Sequence, residues 1–232
     1  MQRHLDDELR NLNTDLLMMA AKVEGAIHLS IEALKKRDKD IALKVIADDQ
    51  DIDEMEIKIE EEIIDLLALF QPMASDLRFI TTGMHINSEL ERIADLTVNI
   101  SQRVLDLADQ EHLKPLIDIP KLAEQAKRMV KSAIDAFVKK NESEAKAVIL
   151  SDKESNSLRT RIIKKLINDY MVKDGTTVSR AVPLLLITRD LERICDHAAS
   201  IAEDVIYMIQ AKIVKHHRER LMSIDVNDTE TP

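Results

Sequence analysis

Glu91 and Asp95 stand four residues apart, and Glu192 and Asp196 do the same. A spacing of four puts two carboxylates on one face of an α-helix. Two such pairs on adjoining helices would offer oxygen ligands to a hard cation such as Mg²⁺ or Mn²⁺, or to iron or zinc. Spacing alone decides nothing: with 43 acids in 232 residues, about eight acid pairs at this spacing arise by chance. What sets these pairs apart is their context. Leu90-Glu91-Arg92-Ile93-Ala94-Asp95 returns as Leu191-Glu192-Arg193-Ile194-Cys195-Asp196, with only the Ala/Cys position changed.

The repetition extends upstream. Ile27–Asp53 aligns with Val130–Asn156, so that Asp49 faces Asp152 and Asp53 faces Asn156. The offset falls by two between the aligned blocks, which puts two extra residues in the first copy, near Phe70–Ser75 opposite Val172–Thr176. An internal repeat of this length implies two copies of one unit, either as separate domains or around a shared core.

Placed on a helical wheel, Ile86, Leu90, Ile93, Ile100 and Val104 form one apolar stripe. Glu91 and Asp95 fall about 140° and 180° from Ile86, just past its edge. Glu192 and Asp196 border the equivalent stripe of Ile187, Leu191, Ile194, Ala198, Ile201 and Val205, and Glu203 joins their column farther along. Another helix carries Asp49, Asp53, Glu56 and Glu60 along one side of its stripe of Ile52, Ile59, Ile63, Leu66 and Phe70. Acids in column against an apolar face repel one another and lose hydration. Three arrangements relieve this: exposure to water, pairing with Arg92, Arg103, Arg189 or Arg193, or a bound cation.

Composition says what must position these acids. Gly occurs 3 times, Pro 5 times, and aromatics make up 2%. That leaves little to punctuate or build a sheet, and the abundance of Ala, Leu, Ile, Glu, Asp, Lys and Arg predicts long amphipathic helices. Six helices are expected, over about 5–36, 39–70, 75–108, 120–140, 142–172 and 178–220. Pro120 would open the fourth, and Gly175 marks the last turn. The fold class is therefore all-α: two tandem three-helix bundles related by the internal repeat. The first covers 1–110, the second 111–220 and begins with a linker containing Pro115, and a polar tail, expected to be disordered, covers 221–232. Short connections make neighbouring helices antiparallel.

Some functions are excluded on chemistry. A net charge of −10 argues against broad nucleic-acid binding. The basic run Lys215–Arg220 reads as a solvated helix end, the alternative being a contact to an acidic partner or anionic lipid. No apolar run is long enough to cross a membrane, no signal-peptide pattern opens the chain, and the lone Cys195 allows no internal disulfide. A cytoplasmic location is expected. Catalysis finds no footing. There is no glycine-rich phosphate loop and no Glu-x-x-His of the di-iron bundles. Cys195 reads as a buried, inert thiol, and His197 as a surface histidine about 100° from Asp196.

The repeated Leu-Glu-Arg-Ile-x-Asp, with Asp196-His197-Ala198 and Ile201-Ala202 behind the second copy, resembles the PhoU family of phosphate-signalling accessory proteins. Pro72-x-Ala74-x-Asp76-Leu77-Arg78 and Asp49-x-x-Ile52-Asp53-x-x-Glu56 share the likeness. It covers residues from about 5 to about 215. The resemblance implies a non-enzymatic regulator, often a homodimer, that helps repress phosphate-starvation genes when phosphate is plentiful. Its implied partners are the nucleotide-binding subunit of a phosphate ABC transporter and a membrane sensor histidine kinase, with membrane association only through them. The family's acid motifs imply metal sites at Asp49, Asp53, Glu91 and Asp95, and at Asp152, Asn156, Glu192 and Asp196. The ion could be Fe, Zn, Mg or Mn. Asn156 departs from the acid pattern, which implies a weaker or differently occupied second site. The rival readings are a carboxylate-bridged metal-binding or iron-oxidising bundle and a plain helical scaffold with no metal.

Overall fold

A computed structural model describes residues 2–113 and 118–212, and among these residues no strand occurs. The first repeat is α1 (Gln2–Lys36), α2 (Lys39–Phe70) and α3 (Ala74–Leu107), and the second is α4 (Asp118–Lys139), α5 (Glu142–Lys165) and α6 (Val178–Gln210). The helices form because their apolar residues recur every three or four positions. In α3, for example, Ile80, Gly83, Ile86, Leu90, Ile93, Thr97, Ile100, Val104 and Leu107 make one buried face. Each fully buried Leu or Ile contributes about 1.5–3 kcal/mol.

The two α-hairpin corners are built alike. Arg37 and Lys140 take the left-handed conformation, and the following Asp38 and Asn141 cap α2 and α5 with their side chains. The backbone N–H of Asp38 reaches Ala33 O, and that of Asn141 reaches Ala136 O, which satisfies carbonyls of the ending helix. The chain spends L-residues, at about 1 kcal/mol each, where glycine is customary. This is why so few glycines suffice.

Four boundaries differ from expectation. α1 begins at Gln2, ahead of Leu5. α4 begins at Asp118, so Pro120 sits third in the helix, within the first turn whose N–H groups lack helical acceptors. α5 gives way to a π-helical segment, Leu166–Met171, before a short 3₁₀ turn, Gly175–Thr177, leads into α6. α6 ends at Gln210, where Ala211 turns left-handed and bonds back to Tyr207 O. The linker's Pro115, the basic run Lys215–Arg220 and the tail 221–232 lie outside the described residues.

The repeats do not stand apart. One continuous apolar core runs through both, from Leu12 in α1 to Met208 in α6. The joining contacts pair equivalent helices, α3 on α6 and α1 on α4, which is the pattern of a pseudo-twofold pair rather than of a simple translation. Polar contacts key the α3–α6 seam. Arg103 Nη1 lies 2.7 Å from Asp190 Oδ2, His85 Nδ1 lies 3.5 Å from Asp204 Oδ2, and Arg78 Nε donates to Met208 O at 3.1 Å. His197 packs its Nδ1 against Glu89 of α3. It is therefore an inter-repeat contact and not the surface histidine expected from its wheel position. The wheel of one helix cannot show which neighbour covers its polar side.

Candidate functional site: two related acidic clusters

In repeat one, α2 and α3 lie side by side, and Asn87 Nδ2 ties them by donating to Glu56 O at 2.9 Å. This register brings the α2 column alongside Glu91 and Asp95. The carboxylates feel one another. Burial, and then the charges of Asp53 and Asp95, push the Asp49 carboxyl up to about 6. Burial pushes Glu91 up to about 7, with Asp95 and Glu56 adding to it and Arg92 opposing. Glu56 is raised by burial, then by Glu60 and Asp53. Asp49, Asp53, Glu91 and Asp95 thus share one locality, and Glu56 belongs with them.

The only cation drawn into this cluster by ion pairing among the described residues is Arg92. Its Nε lies 3.3 Å from Glu91 Oε2 and its Nη1 3.3 Å from Asp95 Oδ2. The side chain is 59% exposed, so the pairs are worth a few tenths of a kcal/mol. Glu91 Oε2 is buried and has no aligned hydrogen-bond donor. Arg92 is near enough for charge attraction but off line for a hydrogen bond.

In repeat two the same positions converge, with different chemistry. Asp152 is 2% exposed and accepts from Asn156 Nδ2 at 3.2 Å and from Ser155 Oγ at 3.3 Å. Glu192 Oε1 lies 3.5 Å from Arg159 Nη1. Burial first, then Asp196, raises the Glu192 carboxyl, while Arg159 lowers it. Cys195 is buried beside this group. Burial pushes its thiol up to about 12, with Asp152, Asp196 and Glu192 adding to the rise and Ser155 opposing it. A thiol so reluctant to ionise is no nucleophile. Glu203, expected in the acid column, is 8% exposed within α6.

The donor set of repeat one suits a hard cation: acceptor oxygens only, one of them buried without a donor. The side chains are not drawn together into a chelate. Among the described residues no three His, Cys, Asp or Glu side chains stand close enough to hold one ion between them.

Two features escaped the sequence reading. One is Arg159, whose signal was present, since the repeat alignment sets it opposite Glu56. The other is a cleft of about 650 Å³ between α1 and α2, lined by His4, Asp15, Lys58, Glu62 and Phe70 among others. There Lys58 Nζ meets Asp15 Oδ2 at 2.6 Å. No periodicity within one helix reveals a pairing 43 residues apart. Finally, no described helix is long and apolar enough to cross a membrane.

Comparison with known proteins gives one answer throughout. The model of the PhoU domain matches twice, over residues 16–104 and 119–205. The phosphate-specific transport system accessory protein PhoU homolog 2 of Thermotoga maritima is 32% identical over 222 residues, covering 96% of this chain and 94% of that protein. The crystal structure of PhoU from Pseudomonas aeruginosa superposes with a TM-score of 0.86 at 33% identity, covering 89% of this chain and 99% of that one. The crystal structure of the phosphate transport system regulatory protein PhoU from Streptococcus pneumoniae gives 0.85 at 27% identity, covering 91% and 99%.

Proposed function

Because this chain belongs to the PhoU family, and is thereby a phosphate-transport accessory and regulatory protein rather than an enzyme, we propose that it is a negative regulator of phosphate uptake and of the phosphate-starvation response. It acts by contact. Its partners are the nucleotide-binding subunit of a phosphate ABC transporter, the cytoplasmic portion of a sensor histidine kinase, and a second copy of itself. The observation that carries this reading is the double PhoU match, which takes in α1 through α6 almost end to end.

Physical features support a binding protein. The helices bury a continuous aliphatic core and present long charged faces to solvent. The one cysteine is buried and hard to ionise. Metal enters as part of the same proposal: Asp49, Asp53, Glu91 and Asp95 would hold a divalent or iron-type ion, which would cancel the repulsion that now raises Asp49 and Glu91.

Deletion of the gene tests the regulatory reading. Phosphate-starvation genes should then stay expressed in abundant phosphate, and purified protein should retain both partners in a pull-down. Normal repression in the deletion strain would overturn the proposal. Rapid oxygen uptake on adding ferrous iron would favour an iron-oxidising bundle instead. For the metal, protein purified without a histidine tag should carry ions by elemental analysis, and E91A/D95A should carry fewer while remaining folded.

A further inference from the structure

The two acidic clusters descend from one pattern but differ at three neighbouring positions. The repeat alignment sets Ile52, Asp53 and Glu56 of α2 against Ser155, Asn156 and Arg159 of α5. Every change replaces an apolar or acceptor-only side chain by one that carries a hydrogen-bond donor. Ser155 and Asn156 use their donors in hydrogen bonds to Asp152. Arg159, with a side chain 37% exposed, makes an ion pair with Glu192 through Nη1 at 3.5 Å, and its buried Nε has no hydrogen-bond partner among the described residues. Repeat one keeps Asp49, Asp53, Glu56, Glu91 and Asp95 in one locality. Repeat two keeps Asp152, Glu192 and Asp196 and adds a guanidinium beside Glu192.

We infer that Arg159 is the resident counter-ion of repeat two, occupying the place a metal ion would take, and that metal loading in this chain is confined to repeat one. A cation tethered on α5 is present at the full effective concentration of an intramolecular group. An incoming ion must displace it, strip Asn156 and Ser155 from Asp152, and accept a neutral amide where repeat one offers a carboxylate. Repeat one imposes less of this cost, because Arg92, the one cation ion-paired to its cluster among the described residues, has a side chain 59% exposed against 37% for Arg159. The equivalent rim arginine, Arg193, is also present in repeat two, so Arg159 is an addition and not a relocation. Divergence of this kind makes the protein asymmetric. One cluster responds to the ion supply, and the other is held permanently in its neutralised form.

The metal half of this inference rests on the proposal above, so the test has two independent arms. In the first, Mn²⁺ is the probe, and bound metal per chain is measured on untagged protein after gel filtration. E91A/D95A should abolish binding and E192A/D196A should leave it unchanged. R159E/N156D, which restores the repeat-one pattern, should roughly double it. Loss of metal in E192A/D196A, or no gain in R159E/N156D, overturns the confinement. If the wild type binds no Mn²⁺, the metal reading itself fails at that step. The second arm uses metal-free protein and urea unfolding. R159M should lower the midpoint, R159K should restore most of it, and adding E192Q to R159M should recover the remainder, because the buried charge then no longer lacks a partner. The equivalent change E56M should raise the midpoint. An unchanged or raised midpoint in R159M overturns the counter-ion role, whatever the metal result.

Discussion

Replacing Glu62 by Gln should stabilise the protein above neutral pH and leave its stability unchanged in mild acid. Glu62 faces Asp15 across the α1–α2 cleft. Burial and then the Asp15 charge push its carboxyl from 4.5 up to about 7, with Glu8 adding to the rise and Lys58 opposing it. Its Oε1 is buried without a partner. Because the folded pKa lies above the unfolded one, the folded state holds the proton more tightly. The stability linked to that proton is complete below about 4.5 and is lost as pH climbs to about 7. The full shift corresponds to about 3 kcal/mol. Glu62 is only half-buried, and solvent screening cuts this to about 1–2 kcal/mol. A glutamine keeps the shape, removes the charge, and can donate its amide hydrogen to Asp15. Urea midpoints of wild type and E62Q should therefore coincide at pH 4.5 and separate progressively up to pH 8, with the variant more stable. Comparing the two proteins at each pH cancels the titrating groups that do not interact with Glu62. A difference that does not change with pH, or a variant less stable at pH 8, would refute the electrostatic account of the cleft.

Other outcomes follow from named contacts. Arg103→Met should cost about 2–4 kcal/mol, because it leaves Asp190, with a side chain 7% exposed, without its partner across the repeat seam; Asp190→Asn in the same chain should recover part of this, and a urea midpoint indifferent to R103M would show that the seam is held by apolar contact alone. Asp38→Ala should cost about 1 kcal/mol, since its carboxylate accepts from the N–H groups of Asp40 and Ile41 at the start of α2; a circular dichroism melt showing no shift would contradict the capping role. Cys195 should be silent to a thiol reagent in the native protein and react fully in urea, as its burial and raised pKa require; fast native labelling would mean that α6 opens locally.

Much of the architecture was legible because helical proteins write their packing as periodicity. Ile86, Leu90, Ile93, Ile100 and Val104 were readable as one stripe, and all are buried. The break at Arg37–Asp38 fell where the first two helices were expected to part, and the structure adds that Asp38 caps the second. What a single helix cannot disclose is its neighbour. The seam that sets Arg103 on Asp190, and His197 on Glu89, joins residues about a hundred positions apart with no spacing rule between them. The π-helical end of α5 was invisible for a related reason. A π turn differs from an α turn by one residue of backbone winding, and the sequence Leu166–Met171 has nothing that forbids ordinary helix.

The acidic clusters show where sequence logic carries and where it stops. The repeated hexapeptide pointed to Glu91 and Asp95 and to Glu192 and Asp196, and in the structure Glu91 feels the charges of Asp95 and Glu56, and Glu192 those of Asp196 and Asp152. The same equivalence hid the difference between the two places. Reading only the conserved acids makes the clusters look like copies, with Asn156 as a lone deviation. Reading the residues between them reverses the emphasis. Asn156 is one of three donors on α5, and Arg159 alone changes the charge by two relative to Glu56. A carboxylate cluster is stable only with something positive at its centre or water at its edge. In repeat two the group inferred to serve is Arg159, ion-paired to Glu192. Among the described residues the cluster of repeat one is ion-paired to the exposed Arg92 alone and holds a buried Glu91 oxygen without an aligned hydrogen-bond donor, which makes it the cluster whose charge a ligand would complete.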